Sequence, residues 1–384
     1  MRDRTSSVPP GEGERDFLPE AGVAVPENPE APSAEDLLIE ERPHWGEFEG
    51  TKVTESGEYQ EPTEEEKAAI EQRLGRLAEV FQSADFPWQL DGAINISLYD
   101  GKFIRNHKDL DVGVFKDDLS RLDTQLEKNG MGIYLTFEKG GKKLTRRLRG
   151  EDFATVEPGK TELSICKVGA DGRIDRDPGE PFNFVDLHVN ERNQEGDVIG
   201  GPDGTTLPKE YFEPRQAVSP AGHEINVSHP AVVAFHKLQV GREHDLKDLE
   251  LLAPHLGERD FASLNGIIAG EADRSESRAR EVATEMWESI APVVDLTEDR
   301  QALVKAFWQV PEFRNMTDER RPRVEQFLEN LADYVINEGG NSREALVGHV
   351  LEMAKPREKF EKQLEVLKTL SSRRQLETGA EQAP

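Results

Sequence analysis

The 384-residue chain carries 76 Asp and Glu against 48 Lys and Arg, a formal net charge of −28, with 35% hydrophobic residues. That length accommodates one or two domains plus tails. The acidity argues against a protein that grips nucleic acid through its phosphates, which needs a basic face, so a small-molecule or protein partner is expected. The single cysteine, Cys166, excludes an intrachain disulfide. No run approaches the roughly 18 apolar residues of a membrane span, and the first residues lack an apolar signal core. A soluble cytoplasmic protein is therefore expected.

Residues 1 to about 60 hold 15 acidic against 5 basic side chains and almost no apolar periodicity. This predicts a disordered acidic tail over 1–62. Thr63 followed by Glu64, Glu65 and Glu66 then reads as a helix start, with a capping hydroxyl and acids in the first turn. Ile70, Leu74, Leu77, Val80 and Phe81 continue it at helical spacing. A short strand at 87–90 leads into an Asp91-Gly92 turn, and a short helix over 93–99 follows. The next strand carries Asp109 and Asp111 on one face and Leu110, Val112 and Val114 on the other, because residues i and i+2 of a strand share a face. A helix over 117–128 ends at Gly130, and residues 131–190 read as β-strands separated by Gly turns. In Val185-Asp186-Leu187-His188-Val189 the alternation again sets an acid opposite an apolar face. After a strand at 224–227 the rest is helical, over about 230–240, 243–253, 258–290, 297–309, 318–337, 342–354 and 357–374. The expected class is α+β: a small mixed-sheet domain flanked by helices at 63–255, then a helical domain or extension at 256–384.

The two aspartates on one strand face repel unless a cation sits between them, which is how a hard ion such as Mg²⁺ is held beside a phosphate. A strand beside the first would bring Asp186 to the same place. Three carboxylates suit two Mg²⁺ ions, with Mn²⁺ as a substitute, clamping an in-line phosphoryl or nucleotidyl displacement.

These motifs, in this order, carry a resemblance. The turn Gly92-Ala93, the stretch Arg105-Asn106-His107-Lys108-Asp109-Leu110-Asp111, the later Asp186, and the segment from Lys237 through Arg242 to Asp245 and Asp248 resemble a nucleotidyltransferase of the DNA polymerase β-like superfamily. The aminoglycoside adenylyltransferase and minimal nucleotidyltransferase groups are nearest. The likeness spans about residues 86–252. It implies an enzyme that moves NMP from an NTP, ATP by preference, to a hydroxyl of a small molecule or protein, releasing pyrophosphate. It further implies that Asp109, Asp111 and Asp186 are the catalytic and metal-binding acids. Asp109 and Asp111 would hold the metal on the β- and γ-phosphates, and Asp186 the second metal or the acceptor proton. Gly92, Ala93, Arg105, His107, Lys237 and Arg242 would form the nucleotide site, with Lys237 on the leaving pyrophosphate. On their own, Arg105 and His107 read as residues that orient the loop, and His188 as a structural histidine. Two departures stand out: Ala93 replaces the family's Gly or Ser, and about 75 residues separate Asp111 from Asp186. The alternative is a catalytically weak or inactive module of the same fold that binds a regulatory partner.

Overall fold

The computed structural model describes residues 39–42, 52–54, 58–107, 109–176, 180, 184–200, 205–294, 299–314, 320–338 and 341–381. Most of the acidic tail, residues 1–38, 43–51 and 55–57, lies outside them, as does Lys108. Contacts divide the chain into two compact units. Among the described residues, one takes those up to 279 together with 354–381, and the other takes those from 280 to 353.

In the larger unit, the tail contributes β1 (Glu40–Glu41). Then follow α1 (Glu64–Phe81), β2 (Trp88–Asp91), α2 (Ile94–Tyr99), β3 (Asp111–Phe115), α3 (Leu119–Glu127), β4 (Met131–Lys139), β5 (Lys142–Arg147), β6 (Glu162–Lys167), β7 (Val185–Arg192), β8 (Val198–Ile199), β9 (Thr206–Leu207), β10 (Arg215–Val218), β11 (Glu224–Val227), α4 (Pro230–Val240) and α5 (Glu243–Leu252). Helix α6 (Glu258–Ile290) runs on into the smaller unit. That unit adds α7 (Arg300–Phe307), α8 (Pro311–Arg314), α9 (Arg321–Asn337) and α10 (Arg343–Ala354), and α11 (Glu358–Glu381) belongs again to the larger one. No helix among the described residues is long and apolar enough to cross a membrane.

The strands form one mixed sheet in the order β1-β5-β4-β6-β7-β3-β2-β11-β10, with β8 and β9 attached beyond β7. The α+β class, with a helical C-terminal region, is the one expected. Local rules explain the helix that backs this sheet. Thr63 accepts from the Glu66 amide while the Glu66 carboxylate accepts from the Thr63 amide, which caps α1 reciprocally. The apolar stripe Ile70, Leu74, Leu77, Val80 and Phe81 is fully buried in the core cluster that also holds Leu90, Val112 and Leu187.

Register positions the site. Leu90, Val112 and Leu187 are cross-strand partners on β2, β3 and β7, and so are Asp91, Asp111 and Asp186 one residue away. Because side chains alternate along a strand, an apolar row facing the core fixes an acidic row facing the opposite side. The β2–β3 pair is antiparallel and the β3–β7 pair parallel. The lone thiol, Cys166, sits buried on β6, and burial pushes it up to about 12.

In the smaller unit the C-terminal end of α6 packs with α7, α9 and α10. Its core includes Met286, Leu303, Phe307, Leu328, Leu331 and Leu346, each fully buried.

Candidate active site

Strand β2 runs one residue further than the sequence suggests. Asp91 is its last residue rather than part of the turn. Its carboxylate is buried, accepts from Gln89 Nε2 at 3.0 Å, and takes a short hydrogen bond from the Ser228 hydroxyl. The turn falls on Gly92, whose φ is +77°, a conformation that favours glycine. A Cβ at Gly92 would overlap the Asp111 carboxylate, and one at Gly113 would overlap that of Asp91. The acids therefore lie directly over bare backbone. Ala93 has φ −73° and is the residue before the first turn of α2. The positive φ is taken up by Gly92, so alanine at 93 is unstrained.

Asp109 corrects one expectation. It precedes β3, which begins at Asp111, and it is exposed. The amide of Asp186 bonds the Leu110 carbonyl at 2.9 Å, so the ladder reaches Leu110 and stops short of Asp109. Asp186 stands opposite Asp111, and Ser164 Oγ lies at 3.5 Å from it, the long limit of a hydrogen bond.

His188 on β7, read from sequence as structural, stands between the acids. Its Nδ1 lies 3.5 Å from Asp91 and its Nε2 3.7 Å from Asp111. Its position in the wall of the cleft would lower the imidazolium, but Asp91 first, then Asp111 and Asp186, outweigh this and raise it to about 9. With 52% of its side-chain surface still open, water screens part of that attraction. Burial would raise Asp91, yet the His188 contact holds it below the usual carboxylate range. Burial pushes Asp111 up to about 6, with His188 opposing and the acids Asp109, Asp186 and Asp91 adding to the rise. Asp186 is raised by burial and by Asp109.

Across from the acidic row stands a cationic wall built by the α4–α5 turn. Pro230 starts α4, and Gly241, at φ 67°, ends it, its amide closing on the Lys237 carbonyl. The chain turns back so that Lys237, in the last turn of α4, meets Asp245 and Asp248 of α5 at 2.8 and 2.7 Å. Arg242 chelates Asp245 through Nε at 2.9 Å, and Arg105 reaches Asp248 at 3.2 Å. Both acids are fully buried. Burial would raise Asp245, but Arg242 and Lys237 pull it down to about 2. Bidentate and shared pairs of this kind fix the direction of each cation.

His107 is buried with Nε2 3.3 Å from the Ser97 hydroxyl, and its carbonyl accepts from Arg73 at 2.8 Å. Burial, then Arg105, Arg73 and Lys237, lower its pKa well below the ordinary value. It is a neutral ring that holds the loop.

A cleft of about 390 Å³ joins the two walls. Gly92, Ala93, Arg105, His107, Asp109, Asp111, Lys237 and Arg242 all line it, together with Asp91, His188 and His236. Asp186 does not line it, although His188, two residues further along β7, does. Sequence reasoning missed Asp91 because Asp-Gly reads as a turn. It undervalued His188, whose alternation with Asp186 was the available signal.

The donor set is carboxylate oxygen, the chemistry a hard divalent cation takes. Burial first, and then the neighbouring acids, raise Asp111 and Asp186, and a bound cation would offset both effects. Among the described residues no group of three or more His, Cys, Asp or Glu is already arranged to hold a metal ion.

Residues 73–151, about a fifth of the chain, match the family model described as aminoglycoside-2''-adenylyltransferase. Gly92, Asp109 and Asp111 fall inside this stretch, and Asp186 and Lys237 outside it. The match bears out the resemblance drawn from the sequence and, with it, a nucleotidyltransferase-type enzyme. No curated relative matches in sequence. Among solved structures, the lincosamide antibiotic adenylyltransferase LnuA bound to lincomycin is 17% identical, with a TM-score of 0.31, covering 50% of this chain and 98% of that one. ANT(2'')-Ia in complex with adenylyl-2''-tobramycin is 12% identical, with a TM-score of 0.32, covering 53% and 97%. An antigenic nucleotidyltransferase-like protein from Paracoccidioides brasiliensis is 14% identical, with a TM-score of 0.31, covering 56% and 91%. Likenesses this slight do not bear on acceptor or mechanism.

Proposed function

We propose that this protein is a divalent-metal-dependent nucleotidyltransferase that moves NMP from an NTP, with ATP the expected donor, to a hydroxyl of a small-molecule acceptor of the aminoglycoside kind. The observation that carries the reading is one cleft with a row of carboxylates on one wall and ion-paired cations on the other. A nucleoside triphosphate needs both: acids for its metal and cations for its phosphates.

In this reading the acceptor oxygen attacks the α-phosphorus in line, the bond to the β-phosphate oxygen breaks, and pyrophosphate leaves with the electron pair. Asp109 and Asp111 would hold Mg²⁺ on the triphosphate, and Asp186 would complete a second ion site or take the hydroxyl proton. The metal supplies Lewis-acid neutralisation of the phosphate charge. Lys237 meets the negative charge that grows on the leaving group, already aimed by Asp245 and Asp248. Arg105 and Arg242 flank it. Backbone amides near Gly92 would approach the phosphates where no side chain intervenes.

The rival reading, a catalytically weak module that serves a regulatory partner, takes its support from Ala93, which stands where the family has Gly or Ser. Incubation with α-labelled NTPs, Mg²⁺ and candidate hydroxyl acceptors separates the two. Label transfer with pyrophosphate release is expected from the wild type and none from Asp109→Asn/Asp111→Asn. Transfer that persists in the double variant would overturn the proposed site, and wild-type inertness with every acceptor would favour the module.

A further inference from the structure

The cationic wall also takes a contribution from the segment ahead of α1. In the segment ahead of α1, Val53 bridges Tyr59, the Thr54 amide donates to the Glu58 carbonyl at 2.7 Å, and the Gln60 amide donates to the Lys52 carbonyl at 2.8 Å. This hairpin docks on α5: Glu58 pairs with Lys247 at 2.7 Å, and the Tyr59 hydroxyl lies 2.9 Å from Asp248 Oδ1 and 2.8 Å from the His244 carbonyl. The Arg105 guanidinium sits 5.5 Å from the Tyr59 ring centroid, within cation–π range.

We infer that Tyr59 is a positioning residue for the nucleotide: its ring sets Arg105 and its hydroxyl sets Asp248, which in turn aims Lys237 and Arg105 into the cleft. The inference rests on the nucleotide reading of that wall and deepens it. Asp248 is 1% exposed and serves two cations, Lys237 at 2.7 Å and Arg105 at 3.2 Å, through Oδ2. Its other oxygen, Oδ1, shares the Tyr59 hydroxyl proton with the His244 carbonyl. A buried carboxylate with an unsatisfied oxygen turns toward whatever donor remains, and here those donors are the two cations the nucleotide needs. Removing the hydroxyl therefore draws Arg105 and Lys237 back onto Asp248 and away from phosphate. Burial, and next the Asp248 carboxylate, hold the phenol proton on well above the usual range, so Tyr59 stays a donor at every physiological pH.

The test is a titration of the full chain with MgATP, comparing wild type, Tyr59→Phe, Tyr59→Leu and Val53→Ser, with the melting temperature of each. Val53 lies on the same hairpin and is 60% exposed. Tyr59→Phe keeps the ring and should weaken MgATP by about two- to tenfold at an unchanged melting temperature. Tyr59→Leu, which loses the ring as well, should weaken it further, and Val53→Ser should bind as wild type. In turnover the Tyr59→Phe loss should fall on kcat as well as on the nucleotide KM, because Lys237 meets charge that grows in the transition state. Wild-type affinity in both Tyr59 variants, beside normal wild-type binding, overturns the inference and leaves the nucleotide reading standing. So does a loss that tracks a fall in melting temperature. If wild type does not bind MgATP, the nucleotide reading falls and this inference falls with it.

Discussion

His188 is where the chemistry of single side chains is most exposed to test. Its contacts with Asp91 and Asp111 raise it to about 9, against 6.5 for an unperturbed imidazole. A raised folded-state value means that the imidazolium stabilises the folded protein fully below about pH 6.5, and that this contribution is lost as the pH climbs through about 9. Asp111, pushed up to about 6 from 3.8, acts lower down, where the folded state gains stability as the pH falls through 6 toward 4. The expected outcome for His188→Gln is a flatter denaturation midpoint between pH 6.5 and 9 than wild type shows, measured in urea at stepped pH. Mg²⁺ bound among the acids would substitute for the imidazolium, so saturating Mg²⁺ should flatten the wild-type profile in the same interval. A wild-type slope that survives in His188→Gln would assign it to another group.

Among the elements, what was legible in the sequence was what is local. Thr63, Glu66 and the apolar stripe behind them specify α1 without reference to anything else. Thr63→Ala should accordingly cost about 1 kcal/mol of stability, read by denaturant unfolding, with nucleotide affinity unchanged. The alternation in Asp111–Phe115 and Val185–Arg192 gave each strand its two faces. That β7 lies parallel to β3, with Asp186 opposite Asp111, is a pairing across about 75 residues, and no local pattern encodes it. The strand ending at Asp91 was obscured for a different reason: a residue before glycine has the composition of a turn whether or not it also completes a ladder. Asp109 shows the converse, since i,i+2 spacing identifies two acids on one face only if both positions are extended and paired. Strand β1 and the Tyr59 hairpin come from a stretch with no periodicity at all. They are held by contacts with β5 and α5, which sequence spacing cannot see.

For the whole molecule, the larger unit is interrupted in sequence by residues 280–353 and resumes with α11. Nothing in the periodicity of the helices distinguishes α10 from α11, because both are amphipathic helices that bury one face. Their membership is decided by which core each joins: Leu346, Val347 and Val350 belong with Phe307, whereas Leu367 and Leu370 belong with Phe235. Separate cores can melt separately. Phe307 is fully buried in the smaller one, so Phe307→Ala should cost about 3–5 kcal/mol there, detectable as an early transition in differential scanning calorimetry. The acids and cations of the cleft all lie in the larger unit, so MgATP affinity below that transition should match wild type.

The buried Cys166 has a practical consequence. Its thiol, pushed up to about 12, is almost wholly protonated at neutral pH, and maleimides and methanethiosulfonates react with thiolate. The native chain is therefore silent to thiol labelling. A cysteine introduced at the exposed Val53 becomes the sole reactive handle on the molecule, and a fluorophore or spin label attached there would report on the Tyr59 hairpin without any need to remove the native cysteine.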